Sequence, residues 1–320
     1  MVQGGKDVRV RSFRFGVNLW SASSRAEWQD KARKVEALGF ASLMVPDHLT
    51  QLFAPFPAIV SAAAVTSRIE LGTHVLNNDL RHPAMVAREV ATADFLTDGR
   101  FQLGLGAGSI RAEYRQTGLD FDRGRTRVER LGEAVAVIKG LLSGETVTFA
   151  GQHYQIDGHA IAPLPVRKPH PPILIGGNGP RLLALAAREA DIVGLSGITF
   201  RDGGVQPPDL SGWRVAGVDE RLRHVRETAG ARYASLEISA FLQRVIVTDD
   251  RRDAAEKLTR RWTGLTVDEI LESPYVLIGT VDQMIADLHA RRARWDISYY
   301  VVPEPYLDAL SPVVARLAGN

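Results

Sequence analysis

Residues 171–197, PPILIGGNGPRLLALAAREADIVGLSG, decide how the whole chain is read. PPILIGG (171–177) is a short apolar run ending in a glycine turn, residues 180–190 form a helical segment rich in Ala and Leu, and DIVGLSG is a second apolar run. The unit is strand, helix, strand, and the same rhythm continues on both sides. Upstream, FRFGVNL (13–19) reads as a strand, and 24–38 carries Trp28, Ala32, Val35 and Leu38 at helical spacing before Gly39 stops it. ASLMVP is the next strand, 57–66 an apolar helix, and IELGTHVL (69–76) a third strand. Residues 83–97 form a helix opened by Pro83, RFQLGLG begins a fourth strand at 100, and a long helix covers 123–142. Downstream come a helix at 219–229, a strand at 237–247, helices at 251–262, 266–272 and 281–292, the strand ISYYVVP (297–303) and a terminal helix from 306.

Two segments break the alternation. TVTFAGQHYQI places Ala150-Gly151 between β-rich runs and predicts a hairpin near 146–156. Residues 200–218 are rich in Gly, Pro and Asp without periodicity and predict a long loop, which in a compact domain is usually functional. Eight strands separated by helices favour a closed (β/α)8 TIM barrel with these insertions; an open sheet of seven or eight strands is the alternative. No abrupt charge shift or low-complexity linker divides the chain, so one domain over 1–320 is expected.

Composition narrows the partners. The chain has 320 residues, 45% hydrophobic and 24% charged, with a net charge of +2. Its 39 basic and 37 acidic residues are spread along the chain, so neither nucleic acid nor a membrane surface is expected. The absence of cysteine excludes disulfides, thiolate nucleophiles and thiolate-held zinc, and fits a reducing interior. The N-terminal MVQGGKDVRVRSFRF lacks an apolar stretch of signal-peptide length and no later run approaches a membrane span, so a cytoplasmic location is expected.

In a barrel the chemistry sits where strands end. That filter selects Asn18, Trp20, Asp47, His48, His74, Asn77, Asn78, Arg81, the 104–111 loop, Gly176, Gly177, Asn178, Ser196, Pro303 and Glu304. GLGAGSI spaces its glycines as GxGxG and misses the dinucleotide fingerprint by one place, and GGNGPR lacks the lysine of a phosphate-binding P-loop. Both turns still allow close backbone approach, and the amides opening helix 180–190 offer an anion site; a tight β-to-α turn is the plain alternative. His48 and His74 end strands, whereas His82, His153, His159, His170, His224 and His289 carry no partner pattern. No HExxH pattern or His-carboxylate triad points to a metal, and no GxSxG elbow to a serine hydrolase.

In their order, GVNLW, ALGFASLMVPDHL, IELGTHVL, RHPAMVAREVATADFLTDGRFQLGLGAGSIRAEYRQTG, RVERLGEAVAVIKGLL and PPILIGGNGPRLLALAAREADIVGLSG closely resemble the bacterial luciferase-like superfamily. Within it the chain is most similar to the oxidoreductases that use the deazaflavin coenzyme F420. The resemblance is weakest over 200–275. It implies that Asp47 and His48 lie beside the reactive face of the cofactor ring, with His48 stabilising charge or moving a proton. It implies a cis peptide at His74-Val75 behind the ring, and a cleft lined by Asn77, Gly106, Ala107, Gly108 and Ser109. The phosphate would be held at Gly176, Gly177, Asn178, Ser196 and Gly197. In the sugar-phosphate dehydrogenases of the superfamily an acid follows GxGxG; here that position is Ser109, so glucose 6-phosphate chemistry by that route is not expected. Glu113 shares a face with Ser109 if the loop turns helical, and is otherwise a rim carboxylate. Trp20 is either an aromatic wall over the substrate or rim packing.

The reaction implied is hydride transfer between coenzyme F420 and a small organic substrate. An FMN-dependent monooxygenase of the same fold is the alternative, and a non-catalytic flavin-binding protein with a blocked mouth the second. Pairing through the helices beside strands two and three would make a homodimer, although Ala- and Val-rich faces at 57–66 and 84–96 are equally what outer barrel helices need.

Overall fold

The structure is a computed structural model and describes residues 11–320; the start of the N-terminal stretch read for a targeting signal lies outside the described residues. Along the chain β1 (Arg14–Asn18) is followed by α1 (Arg25–Ala37), β2 (Ser42–Val45), α2 (Pro55–Ala63), β3 (Glu70–Thr73), β4 (Leu76–Asn77), α3 (Pro83–Leu96) and β5 (Phe101–Gly106). Next come α4 (Arg111–Thr117), α5 (Gly124–Ser143), the hairpin β6 (Val147–Ala150) and β7 (Gln155–His159), β8 (Ile173–Gly176), α6 (Pro180–Glu189) and β9 (Ile192–Leu195). The chain ends with α7 (Val215–Ala229), β10 (Glu237–Phe241), β11 (Arg244–Val247), α8 (Arg251–Thr259), α9 (Val267–Glu272), β12 (Val276–Gly279), α10 (Val281–Trp295), β13 (Ile297–Pro303) and α11 (Leu307–Leu317).

The sheet runs β3-β2-β1-β13-β10-β9-β8-β5-β4, every pair parallel, and an added β3–β5 pairing closes it. With β3 and β4 sharing one position this is an eight-position barrel, as expected from the sequence. The register puts Val17 level with Leu43 and with Val302, and Leu71 level with Phe101 at the seam. Caps set the helix starts. The Ser24 hydroxyl accepts from the Glu27 amide at 3.1 Å to open α1, and Thr280 with Gln283 forms a reciprocal box that opens α10.

One apolar layer lies between strands and helices; there Trp28 buries its ring and donates from Nε1 to the Ala58 carbonyl at 2.9 Å. A second, inside the barrel, is built by Met44, Leu174, Ile192, Tyr299 and Val301. The amino end of the barrel is plugged by charge. Arg14 pairs with Glu237 at 2.6 Å and with Glu70, while its guanidinium lies 4.5 Å from the Tyr299 ring centre. Chemistry is therefore confined to the opposite end, where the strands point their carboxyl termini.

The structure departs from the sequence expectations in three places. The strand expected over 69–76 is two pieces, because the chain turns at a cis His74–Val75 peptide. The strand expected over 237–247 is also two. Eleven residues at about 3.3 Å each would far overrun the other barrel strands, and after β10 the chain leaves the barrel to pair β11 with β12. That partner, VLIG, is the short apolar run passed over between two helices. The loop expected over 200–218 ends earlier, since α7 starts at Val215, and its base is pinched by reciprocal backbone bonds between Thr199 and Asp209 at 3.1 and 2.9 Å. No helix among the described residues is long and apolar enough to cross a membrane.

Candidate active site

A cavity of about 650 Å³ opens at the carboxyl ends of the barrel strands, a volume suited to a cofactor-sized ligand. Its wall gathers Trp20, Asp47, His48, His74, Val75, Asn77, Ala107, Gly108, Ser109, Glu113, Gly176, Gly177, Asn178 and Ser196 from segments far apart in sequence. Gly106 and Gly197 stand behind that wall. A Cβ on Gly106 would meet Val75 Cγ2 at 2.7 Å, and one on Gly197 would meet Tyr275 at 2.5 Å and Trp213 at 2.8 Å.

The Asp47-His48 pair divides its labour. Asp47 is 5% exposed and both its oxygens are engaged. Arg81 grips it bidentately at 2.6 and 3.1 Å, and the Asn77 amide donates to Oδ2 at 3.1 Å. A carboxylate so saturated anchors the loop after β2 to the segment after β4, and it has little capacity left for a substrate. His48 behaves differently. Its side chain is 44% exposed, and Nδ1 lies 2.8 Å from Glu113 Oε1. Glu113 sits in the first turn of α4 and is 5% exposed, so it is no rim group: the loop after GxGxG does turn helical, and the turn aims the carboxylate at His48.

His74 forms the floor with its ring against Phe241, centroids 5.4 Å apart. Asn18 Nδ2 lies 3.2 Å from His74 Nδ1. Burial favours the neutral ring and pushes the imidazole down from its ordinary value to about 4.

The glycine turn after β5 is held by contact and not only by flexibility. Gly108 has φ +72°, and a Cβ there would fall 2.0 Å from Tyr114 Oη and 2.7 Å from Asn77 Oδ1. Tyr114 Oη sits 3.0 Å from Asn77 Oδ1 and 2.9 Å from Asp79 Oδ2, and burial raises the phenol's pKa, keeping it a donor. Arg127, which sequence reasoning passed over, closes this side. It donates to the Ala107 carbonyl at 3.1 Å and the Asp122 carbonyl at 2.6 Å, with Phe121 stacked 3.9 Å away.

Across the mouth from His48, three bonds at the Asn178 side chain tie the β8 turn to the loop after β9. Nδ2 donates to Ser196 Oγ at 2.8 Å and the Ile198 carbonyl at 2.6 Å, and Oδ1 accepts from the Gly197 amide at 3.1 Å. The side chains of Asn178 and Ser196 thus brace the turn, and the backbone is what remains for an anion. Gly179 caps α6, and the amides of Gly179, Arg181 and Leu182 have no acceptor among the described residues. Ile198, Thr199 and Phe200 complete the wall on this side, and the loop that follows is tied to α4 by an Arg111–Asp202 ion pair. No signal in the sequence separated these from ordinary loop residues. Among the described residues no cluster of His, Asp and Glu could hold a metal ion.

Comparison with known proteins agrees with this geometry. The family model for luciferase-like monooxygenases matches residues 11–297. An F420-dependent glucose-6-phosphate dehydrogenase from Nakamurella multipartita is 31% identical over 285 residues, 85% of this chain and 79% of that protein. Among solved structures, the coenzyme F420 dependent tetrahydromethanopterin reductase from Methanopyrus kandleri superposes with a TM-score of 0.77 at 17% identity, covering 96% of this chain and all of that one. A riboflavin lyase bound to modified FMN superposes with a TM-score of 0.76 at 14% identity, over 97% of this chain and 93% of that one. With a closed parallel barrel, a cavity at its carboxyl mouth and a family match over most of its length, the chain belongs to the luciferase-like monooxygenase family.

Proposed function

We propose that this single barrel domain, residues 1–320, is a cytoplasmic oxidoreductase that transfers hydride between coenzyme F420 and a small organic substrate. The observation that carries the reading is the two-ended cavity. Unpaired amides at the start of α6 lie at one end, and an exposed imidazole backed by a buried carboxylate lies at the other. The relative matched over most of the chain is named for the same cofactor, which favours the deazaflavin over FMN.

The residues present fit such a group. Gly177 lets the β8 turn pack against α6, since a Cβ there would fall 2.1 Å from Leu182 Cδ2, and the α6 amides with the positive end of the helix dipole suit a phosphate. When bound, F420 supplies the carbon that takes or releases hydride. The protein's share is orientation and proton handling. Asp47 and Arg81 fix the loop that presents His48, His74 stays neutral beneath, and His48 exchanges a proton with the substrate oxygen through Nε2, the nitrogen that Glu113 does not occupy. Ser109 provides no acid where the glucose-6-phosphate enzymes are expected to carry one, so the substrate is a different alcohol or carbonyl compound. Trp20, Leu52 and Phe200 give it an apolar wall. The mouth is open, which counts against a storage role.

Titration of the purified protein with oxidised F420 and with FMN, followed by fluorescence, tests the reading. Saturable F420 binding at micromolar concentration is expected; binding of FMN with none of F420 overturns it in favour of the monooxygenase. Met85, Phe95 and Leu96 expose apolar surface along α3, 44%, 55% and 54% respectively, which supports pairing of two copies through α2 and α3. Light scattering of the eluted protein at about twice the chain mass would bear that out.

A further inference from the structure

We propose that Glu113 is the positioning residue for His48: it fixes the imidazole in the tautomer protonated at Nδ1, leaves Nε2 as the basic nitrogen facing the substrate, and holds the imidazolium once the proton arrives. The proposal rests on the reading of the cavity given above and concerns where that site's proton goes.

Elimination and geometry lead to the same residue. Asp47 and Glu113 are the carboxylates in the cavity wall. Asp47 is saturated by Arg81 and the Asn77 amide, as described. Glu113 is as deeply buried, yet among the described residues its carboxylate meets no Arg or Lys within 4.0 Å; its side-chain partner is His48 Nδ1 at 2.8 Å. A carboxylate accepts and does not donate, so the bond requires hydrogen on His48 Nδ1. The lone pair is then on Nε2.

The placement of α4 makes the arrangement possible. The helix starts at Arg111, two residues after Ser109, and its first turn is held by the Glu113 amide donating to the Ile110 carbonyl at 3.2 Å. The loop beyond β9 packs on its outer side through the Arg111–Asp202 pair and through Gly203, where a Cβ would meet Arg111 at 2.6 Å. Glu113 thus reaches the site from a braced helix one turn beyond Ser109. In the dehydrogenation direction the carbinol C–H bond breaks with its electron pair going to the oxidised deazaflavin. The O–H proton passes to Nε2 and the carbonyl forms, with the imidazolium charge balanced by Glu113 across the ring. In the reverse direction the same proton returns to the oxygen as hydride arrives at carbon.

The test uses the full chain without cofactor, so that it stands apart from the identity of the cofactor. Long-range proton–nitrogen correlation spectra of the uniformly labelled protein at mildly alkaline pH report which ring nitrogen carries hydrogen, and the H48Q variant assigns the His48 signals. Wild type is expected to show Nδ1 protonated and Nε2 bare. In E113A, His48 is expected to move to the Nε2-protonated form that an unconstrained histidine side chain prefers. E113D, which restores the carboxylate on a shorter arm, should recover part of the wild-type signature. E113A and E113D should bind F420 within about threefold of wild type, because Glu113 orients the base without holding the cofactor. Nε2 protonation in wild type, or an unchanged His48 signature in folded E113A, would overturn the proposal. So would loss of F420 binding of about tenfold or more in E113D with the tautomer intact, which would make Glu113 a cofactor contact. If the tautomer shifts as stated while no variant binds F420, the dyad stands and the cofactor assignment fails.

Discussion

Replacing Arg81 with Met isolates what Asp47 does. Met keeps most of the aliphatic bulk and removes the guanidinium that closes two charge-assisted bonds, at 2.6 and 3.1 Å, on a carboxylate 5% exposed. One contact survives, the Asn77 amide at 3.1 Å. Breaking a buried pair by removing one partner costs about 3–5 kcal/mol because the other charge is stranded. The Arg81 side chain is 23% exposed, so water reaches the vacated site and the cost falls below that range, to about 2–3 kcal/mol. At about 2 °C per kcal/mol for a chain this large, the melting temperature should fall by about 4–6 °C. Asp47→Asn should lose less, since its amide can still accept from Asn77, and adding it to Arg81→Met should recover part of the loss. Thermal and urea unfolding of wild type, R81M, D47N and the double variant give the coupling energy directly. A loss below about 0.5 kcal/mol in R81M, or a coupling near zero, would refute the anchoring role.

Gly108→Ala should destabilise the chain by about 2–4 kcal/mol, from the left-handed backbone together with displacement of Tyr114 from its hydrogen bonds; a melting temperature within a degree of wild type would show that the turn can relax. His74, with its pKa depressed to about 4, should resist protonation long after ordinary histidines have titrated. The unfolded chain takes up that proton near 6.5 and the folded one does not. The associated stability is therefore whole above about pH 6.5, drains away as pH falls from there to about 4, and amounts to at most about 3 kcal/mol. Ring-proton shifts of His74 with a midpoint near 4 would agree; a midpoint at 6 or above would not.

Much of the barrel was legible because burial imposes short-range periodicity. Strands buried on both faces read as unbroken apolar runs, and helices covering them show an apolar stripe, so LMVP, FQLGLG and VVP declare themselves without neighbours. The cis peptide at His74-Val75 was reached by family resemblance, and no periodicity would have found it. The error over 237–247 has a plain cause. A strand looks the same in sequence whether it stays in the barrel or leaves it, so 237–247 read as one element, and the partner of its second half, Val276–Gly279, was passed over between two helical segments.

The site was legible as a set of positions and not as a set of roles. Sequence alone placed Asp47, His48 and the glycine turns near strand ends, because barrel topology fixes where loops gather, whereas Glu113 entered only on the condition that the loop after GxGxG turns helical. It could not say which of two adjacent polar residues would be saturated and which left free. That was decided by groups 30 to 65 residues away. Arg81 and Asn77 converge on Asp47, and Glu113 converges on His48. Hydrogen bonding and charge pairing act over about 3 Å and take no account of sequence separation. The run LMVPDHL could therefore announce a site by itself, whereas the division of the pair into a saturated Asp47 and an exposed His48 imidazole required the closed barrel.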